Sequence, residues 1–288
     1  MSKILYKTLG TPPIRKILYD LRQASSELGI DFFGIGALAR NVWFLTNQEQ
    51  SRGTKDLDFA VYVPNLATYQ ALKAKLVDDY SYTITANNDF CLISPPPDQV
   101  PLDLLPFEAI EGQENDILTI KTILSVNLDG FLEVYTNGLI DVEIEGDTFQ
   151  VCSIPSVVVL KLISYDDRPE NRPNDPIDIN AILQYYPDLE TEMIWEEYTF
   201  LYETDEEELS PYNIGIKVLG YEVGKIISKN QRLTKRILTI LQQAIQLESN
   251  LAERMIQDAV EETVENKCRL LTLLKDGITE QLSKEFLQ

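Results

Sequence analysis

Residues 51–63, SRGTKDLDFAVYV, place two aspartates one residue apart at the start of an apolar run. The run LDFAVYV predicts a β-strand, and side chains alternate along a strand, so Asp56 and Asp58 are expected on the same side. Two neighbouring carboxylates repel each other, and a divalent cation removes that repulsion. The pair is therefore either a set of metal ligands or two solvated residues at the start of a strand.

The composition narrows the chemistry that this chain can use. Its 288 residues include no histidine, which excludes a Ser-His or Cys-His nucleophile, a His-ligated zinc site and an imidazole base. Catalysis would have to rest on carboxylates, lysine, arginine, hydroxyl groups or a bound metal. The formal net charge of −21 disfavours a generally cationic surface for nucleic acids, and it suits a cationic acceptor.

The sequence predicts a cytoplasmic protein without a membrane partner. The first residues, MSKILYKTLGTPPIRK, contain no apolar signal-peptide core, and no apolar run approaches the roughly 20 residues that cross a bilayer. The three cysteines are far apart and form no C-x-x-C pattern, as expected for reduced thiols in the cytosol.

Hydrophobic periodicity predicts an α+β protein in two parts. Residues 1–154 are predicted to form a mixed or antiparallel sheet flanked by helices, and residues 155–288 an all-helical C-terminal domain. Within the first part, residues 130–155 are predicted as antiparallel strands with turns at Asn137–Gly138 and at 145–147. Within the second, Asp175 is predicted to cap a helix.

Three further features of the predicted elements could contribute to a site with the aspartate pair. GIGALA places Gly34 and Gly36 between a strand and a helix, where backbone N–H groups can approach a phosphate, although a plain tight turn explains them equally. Asp103 lies in the apolar strand VPLDLLPF, either beside the pair as a third carboxylate or exposed on an edge strand. Lys161 lies in the apolar helix VVVLKLI, either in a site or extended to the surface.

In this order, GIGALA, RGTKDLD and LDLLPF resemble the motifs of the DNA polymerase-β-like nucleotidyltransferase superfamily. With KLISYDDRPENRPNDPIDINAIL and LGYEVGKII, the chain is more narrowly similar to the AbiEii/AbiGii toxin-like nucleotidyltransferases of bacteria, across about residues 30–225. Two positions depart from the family pattern. Ala37 stands at the second small residue of the glycine turn, and Asn174 replaces the lysine of a lysine–aspartate segment.

The resemblance implies a cofactor, Mg²⁺ or Mn²⁺, and an NTP substrate. Asp56 and Asp58 would hold the metal that bridges the triphosphate, and Asp103 would complete a second site and serve as, or assist, the base for an acceptor hydroxyl. The remaining implied contacts concern the nucleotide. Gly36 and Ala37 would contact the β- and γ-phosphates, Lys161 would contact the triphosphate, and Asp178 would position Lys161 or Arg168. Arg52 and Arg168 are further candidates for binding phosphate, unless these arginines simply pair with carboxylates.

The activity that the resemblance implies is transfer of NMP from an NTP to an acceptor hydroxyl, with release of pyrophosphate. The acceptor would be an RNA 3′ end such as that of tRNA, or a protein, and the setting a type IV toxin–antitoxin pair with an antitoxin encoded nearby. An aminoglycoside-type small-molecule acceptor is the alternative that the acidic composition suits. A non-catalytic nucleotide-binding module is the alternative from a different functional class.

Overall fold

The structure is a computed structural model that describes residues 4–5, 12–46, 56–86, 88–107, 128–144, 146–203, 210–246, 250–256 and 263–285. The described residues form two compact units, one within 1–135 and 139–153, and the other within 136–138 and 154–288. That residues 1–154 and 155–288 are separate domains stays a prediction. Among the described helices, none combines the length and the apolar character that crossing a bilayer requires.

The first unit is built on one sheet of eight strands, in the order β1-β7-β8-β2-β3-β6-β5-β4. The pairs β1–β7, β2–β8 and β3–β6 are parallel and the others antiparallel, so the sheet is mixed as predicted. The strands are β1 Ile4–Leu5, β2 Asp31–Gly34, β3 Leu57–Tyr62, β4 Thr83–Ile84, β5 Cys91–Ile93, β6 Pro101–Phe107, β7 Leu139–Ile144 and β8 Asp147–Cys152.

The described part of this unit also contains helices. They are α1 Pro12–Leu28, α2 Gly36–Thr46, α3 Leu66–Tyr80 and α4 Phe131–Asn137. The Asn65 side chain accepts a hydrogen bond from Thr68 N, which begins α3. In α1 the buried residues Ile17, Leu18 and Leu21 form one apolar face, as an amphipathic helix requires.

Helix α4 corrects one sequence prediction. The segment FLEVYTN was predicted as strand because aromatic and β-branched residues favour strands, yet it forms a helix. Phe131 and Val134 are both buried, and residues three apart share one face of a helix but opposite faces of a strand. The aromatic ring of Tyr135 stacks on that of Tyr62, with centroids 4.9 Å apart. Packing on this aromatic cluster therefore overrides the local preference.

The second unit is helical, as predicted. Its central helix, α8, packs against α5, α6, α9 and α11, and its residues 214–221 are all buried. The helices are α5 Ile154–Asp167, α6 Asp175–Leu189, α7 Thr191–Glu197, α8 Pro211–Ile227, α9 Gln231–Ala244, α10 Asn250–Arg254 and α11 Val264–Glu285, with a 3₁₀ turn at Thr199–Tyr202.

A carboxyl group between α6 and α7 makes stability depend on pH. Burial, together with the charge of Glu222, raises the pKa of Glu190 from 4.5 to about 7. The stabilising contribution of this group is therefore complete below pH 4.5, and it is lost as the pH rises through about 7. We expect the free energy of unfolding to fall across this window by about 3 kcal/mol or less on account of Glu190.

Urea unfolding from pH 4.5 to 7.5 measures this effect, and Glu190→Gln should flatten the pH dependence because the neutral amide does not titrate. Glu196→Gln, at an exposed position of α7, is the control and should leave the slope unchanged. A Glu190→Gln slope equal to that of the unchanged chain would contradict the assignment.

Candidate active site

Two of the aspartates that the sequence singled out face each other across a parallel strand pair. In the β3–β6 register, Asp58 pairs with Asp103. Paired residues of neighbouring strands point to the same side of a sheet and lie about 4.8 Å apart at Cα. Leu57, Leu102 and Leu104 point to the opposite side and are at most 2% exposed. The buried leucines thus fix the register that brings the two carboxylates together.

Strand β6 also lies inside the sheet, between β3 and β5, so Asp103 is not on an edge strand. Asp58 and Asp103 are both partly exposed, which leaves their side of the sheet accessible to a ligand. The interpretation of Asp103 as an exposed edge residue is therefore wrong, because a β5–β6 hairpin covers that edge.

Asp56 precedes β3 and is exposed. Among the described residues, no group of three or more Asp, Glu, Cys or His side chains is assembled to hold a metal ion. The structure thus aligns Asp58 with Asp103 and does not gather all three aspartates into a finished cluster. A donor set made of carboxylate oxygens fits Mg²⁺ or Mn²⁺.

The glycine turn lies against Asp58. Ile35 N donates a 3.0 Å hydrogen bond to Asp58 O, and α2 begins at the next residue, Gly36. Gly36 has φ +57°, and a Cβ atom added there would lie 2.6 Å from Asp58 Oδ2. The unpaired N–H groups of a helix's first turn attract anions, so Gly36 and Ala37 lie where a phosphate beside Asp58 would be stabilised.

Gly36→Ala should therefore disturb this turn in two ways. The left-handed backbone costs a non-glycine residue about 1–2 kcal/mol, and the new methyl group displaces the Asp58 carboxylate. We expect a loss of unfolding free energy of that size in urea titration, together with loss of metal-dependent nucleotide binding measured by equilibrium dialysis.

Gly29→Ala is the matched control, because Gly29 has φ +63° and nothing within 4 Å of an added Cβ. It should lose similar stability and keep nucleotide binding. Equal nucleotide binding by Gly36→Ala and Gly29→Ala would show that the contact with Asp58 has no role in the site.

Sequence inspection missed two neighbours of Asp103. Cys91 of β5 pairs with Asp103 in the β5–β6 register, and burial, with a hydrogen bond to Asp103, raises the pKa of the Cys91 thiol to about 12. In α3, Tyr69 donates a 3.0 Å hydrogen bond to Leu104 O, and burial with the charge of Asp103 raises its pKa. The proline-rich loop of the hairpin leaves its register open, so no local pattern could place Cys91 here.

In the helical unit, Lys161 of α5 is held by two carboxylates. Its Nζ lies 2.7 Å from Asp175 Oδ1 and 2.8 Å from Asp178 Oδ2, and all three residues are buried. The side chain therefore does not extend to the surface. Of the two partners that the resemblance offered Asp178, Lys161 or Arg168, Lys161 is in contact with it, and the roles of Asp178 and Lys161 toward a triphosphate stay predictions.

The capping prediction for Asp175 is wrong. Asn174 occupies the N-cap position of α6 without a side-chain hydrogen bond, and Asp175 is the first helical residue. Its Oδ1 accepts from Lys161, whereas its Oδ2 is buried without a hydrogen-bond partner among the described residues. The Asp175 carboxylate pairs with the buried ammonium group of Lys161 instead of capping the helix, because a buried charge requires an opposite charge.

Two arginines complete the predicted set. Arg168 follows the end of α5, is partly exposed, and accepts a 3.0 Å backbone hydrogen bond from Asn171. Arg52 lies outside the described residues. The structure thus brings together Asp58, Asp103 and the Gly36 turn in one unit, and Lys161 with Asp178 in the other.

No protein-family model and no curated protein sequence matches the chain. It is similar to several solved structures. A nucleotidyltransferase-like protein from Paracoccidioides brasiliensis has TM-score 0.41 and 12% identity, over 77% of this chain and 91% of that one. ANT(2″)-Ia in complex with adenylyl-2″-tobramycin has TM-score 0.37 and 11% identity, over 79% and 96%. The Thermotoga maritima CCA-adding enzyme complexed with tRNA has TM-score 0.31 and 12% identity, over 96% and 83%.

Of these three structures, the first is described as nucleotidyltransferase-like and the third as a CCA-adding enzyme. The TM-scores lie below 0.5, so the likenesses establish no residue-by-residue correspondence with this chain.

Proposed function

We propose that this protein is a metal-dependent nucleotidyltransferase that moves NMP from an NTP to an acceptor hydroxyl and releases pyrophosphate. The observation that carries the proposal is the register of β3 and β6, which aligns Asp58 with Asp103, with the Gly36 turn against Asp58. Paired carboxylates beside a helix N-terminus suit a substrate that combines a divalent cation with a polyphosphate.

Asp56, Asp58 and Asp103 would hold Mg²⁺ or Mn²⁺, which when bound offsets the negative charge of the carboxylates and phosphates. The N–H groups of Gly36 and Ala37 bind the β- and γ-phosphates. Asp103 accepts the proton of the acceptor hydroxyl. The acceptor oxygen forms a bond to the α-phosphorus, the bond from that phosphorus to the bridging oxygen breaks, and pyrophosphate leaves with those electrons.

We extend the proposal to four residues whose roles the family resemblance implies. Lys161 would contact the triphosphate as a point charge, and Asp178 would hold Lys161 in its orientation, which the 2.8 Å contact between them supports. Arg52 and Arg168 would bind phosphate oxygens.

We propose an RNA 3′ end, such as that of tRNA, or a protein hydroxyl as the acceptor. The net charge of −21 favours a second candidate, a cationic small molecule of the aminoglycoside type. We also propose that the protein is the toxin of an AbiEii-like type IV pair whose antitoxin is encoded nearby. The acceptor decides between these assignments, since all of them use the same carboxylates.

The test is transfer of α-³²P label from each NTP, with Mg²⁺, to total tRNA, to cellular protein or to tobramycin. Label on one acceptor with release of pyrophosphate supports the proposal and identifies the acceptor class. Magnesium-dependent NTP binding without transfer to any of the three would identify a binding module instead. If the protein shows no NTP binding and no transfer, the proposed metal site is refuted. Growth arrest when the protein is expressed in bacteria, but not when Asp58→Asn is expressed, would support the toxin assignment.

A further inference from the structure

An exposed aromatic surface lies on the helical unit, around α7 and the following 3₁₀ turn. We call Trp195, Phe200 and Tyr202 the Trp195 surface. Trp195 is 60% exposed and Phe200 is 40% exposed. The Trp195 and Tyr202 rings meet edge to face, with centroids 5.0 Å apart. Clustered exposed aromatic rings are typical of interaction sites, because apolar ring surface that stays in water does not stabilise the folded chain.

Phe200 and two neighbouring tyrosine rings, Tyr198 and Tyr221, already contact ammonium groups of this chain. Lys284 Nζ lies 3.9 Å from the centroid of the Phe200 ring and 4.6 Å from that of Tyr221. Lys225 Nζ lies 5.3 Å from the centroid of the Tyr198 ring. These distances fall within the roughly 6 Å range of cation–π attraction. Ring faces at this location therefore accept cations.

Acidic side chains flank the exposed rings. Glu192 lies one helical turn before Trp195 on α7, Glu196 follows it, and Glu203 follows Tyr202; all three are exposed. A surface that joins aromatic faces to carboxylates attracts guanidinium and ammonium groups, and it repels anions. The net charge of the whole chain, −21, acts in the same direction at longer range.

We propose that the Trp195 surface is a docking site for a basic segment of a partner protein, rich in arginine or lysine. A guanidinium group of the partner stacks on Trp195, and neighbouring basic side chains pair with Glu192 and Glu196. An apolar partner would gain nothing from the carboxylates, and a nucleic-acid partner would be repelled by them. This proposal is independent of nucleotidyl transfer.

The test uses Trp195 as its own reporter. The chain has two tryptophans, so Trp43→Phe leaves Trp195 alone. Trp43 lies in α2 of the other unit and makes a 3.5 Å hydrogen bond from Nε1 to Cys152 O. A nona-arginine peptide titrated at 150 mM salt should change Trp195 fluorescence saturably. A nona-glutamate peptide should leave it unchanged.

Variants of the surface are measured with the dye-labelled nona-arginine peptide by fluorescence anisotropy. Trp195→Ala should weaken binding about three- to tenfold, which is the loss of one cation–π contact. Glu192→Gln with Glu196→Gln should weaken binding by a similar factor. The control, Asp78→Asn with Asp98→Asn, removes the same charge from exposed positions of the other unit and should change binding by less than about twofold.

Three outcomes would overturn the docking proposal: no saturable binding of nona-arginine, binding by Trp195→Ala as tight as by the unchanged chain, or equal weakening by the Asp78/Asp98 control. The last would show that the peptide follows total charge and not the Trp195 surface. If an alanine variant loses its circular dichroism spectrum, the Glu192/Glu196 pair decides alone, because those side chains are exposed and their replacement leaves the packing intact.

Discussion

Asp58→Asn should lower the rate of nucleotidyl transfer by about a thousandfold or more while the protein stays folded. An asparagine keeps the size of the side chain but loses the negative charge that binds a divalent cation. The same result is expected for Asp103→Asn, because the register of β3 and β6 places both carboxylates on one side of the sheet. Label transfer at saturating Mg²⁺ and NTP measures the effect.

Asp141→Asn is the matched control for this prediction. Asp141 lies in β7 of the same sheet and is exposed, so it undergoes the same chemical change away from the glycine turn. Its rate should equal that of the unchanged chain. Transfer by Asp58→Asn within a factor of ten of the unchanged rate would show that the paired aspartates hold no essential cation, and would remove the basis of the proposed function.

Lys161→Met should cost about 3–5 kcal/mol of unfolding free energy. The substitution leaves Asp175 and Asp178 buried in α6 without their counter-ion. A buried charge without an opposite charge lowers the free energy of unfolding. Urea unfolding followed by circular dichroism measures the loss. Lys75→Met is the control, since Lys75 pairs with carboxylates that are more than half exposed, and it should change stability little.

Removing the whole charged group separates this cause from lost packing. In Lys161→Met with Asp175→Asn and Asp178→Asn, no buried charge is left unpaired, so the triple variant should recover much of the stability that the single variant loses. If the triple variant is less stable than Lys161→Met, the three residues act as packing and hydrogen-bonding groups instead, and the account based on uncompensated charge is wrong. Lys161→Arg keeps the charge and tests nucleotide binding separately.

Local pattern was sufficient for most of the elements that carry these residues. The alternation in LDFAVYV, the turn in GIGALA and the helical spacing in PPIRKILYDLRQASSEL correspond to β3, the β2–α2 turn and α1. It failed at α4, where aromatic and β-branched residues favour a strand in isolation. It failed again at Asp175, whose carboxylate is drawn to a lysine fourteen positions away rather than to the adjacent helix end. Both failures come from contacts that the local sequence does not contain.

The sequence by itself determined which chemical groups are available: carboxylates on strands, a glycine turn before a helix, a lysine in an apolar helix and no histidine. It also determined that Asp56 and Asp58 would share one side of a strand if both were extended, because alternation is a property of the backbone. Only the tertiary structure decided that Asp103 is the residue across from Asp58, that Asp56 lies outside the strand, and that Lys161 is enclosed by Asp175 and Asp178. Strand register and helix packing are set by burial of leucines and by charge pairing between distant segments, and these energies belong to the folded chain as a whole.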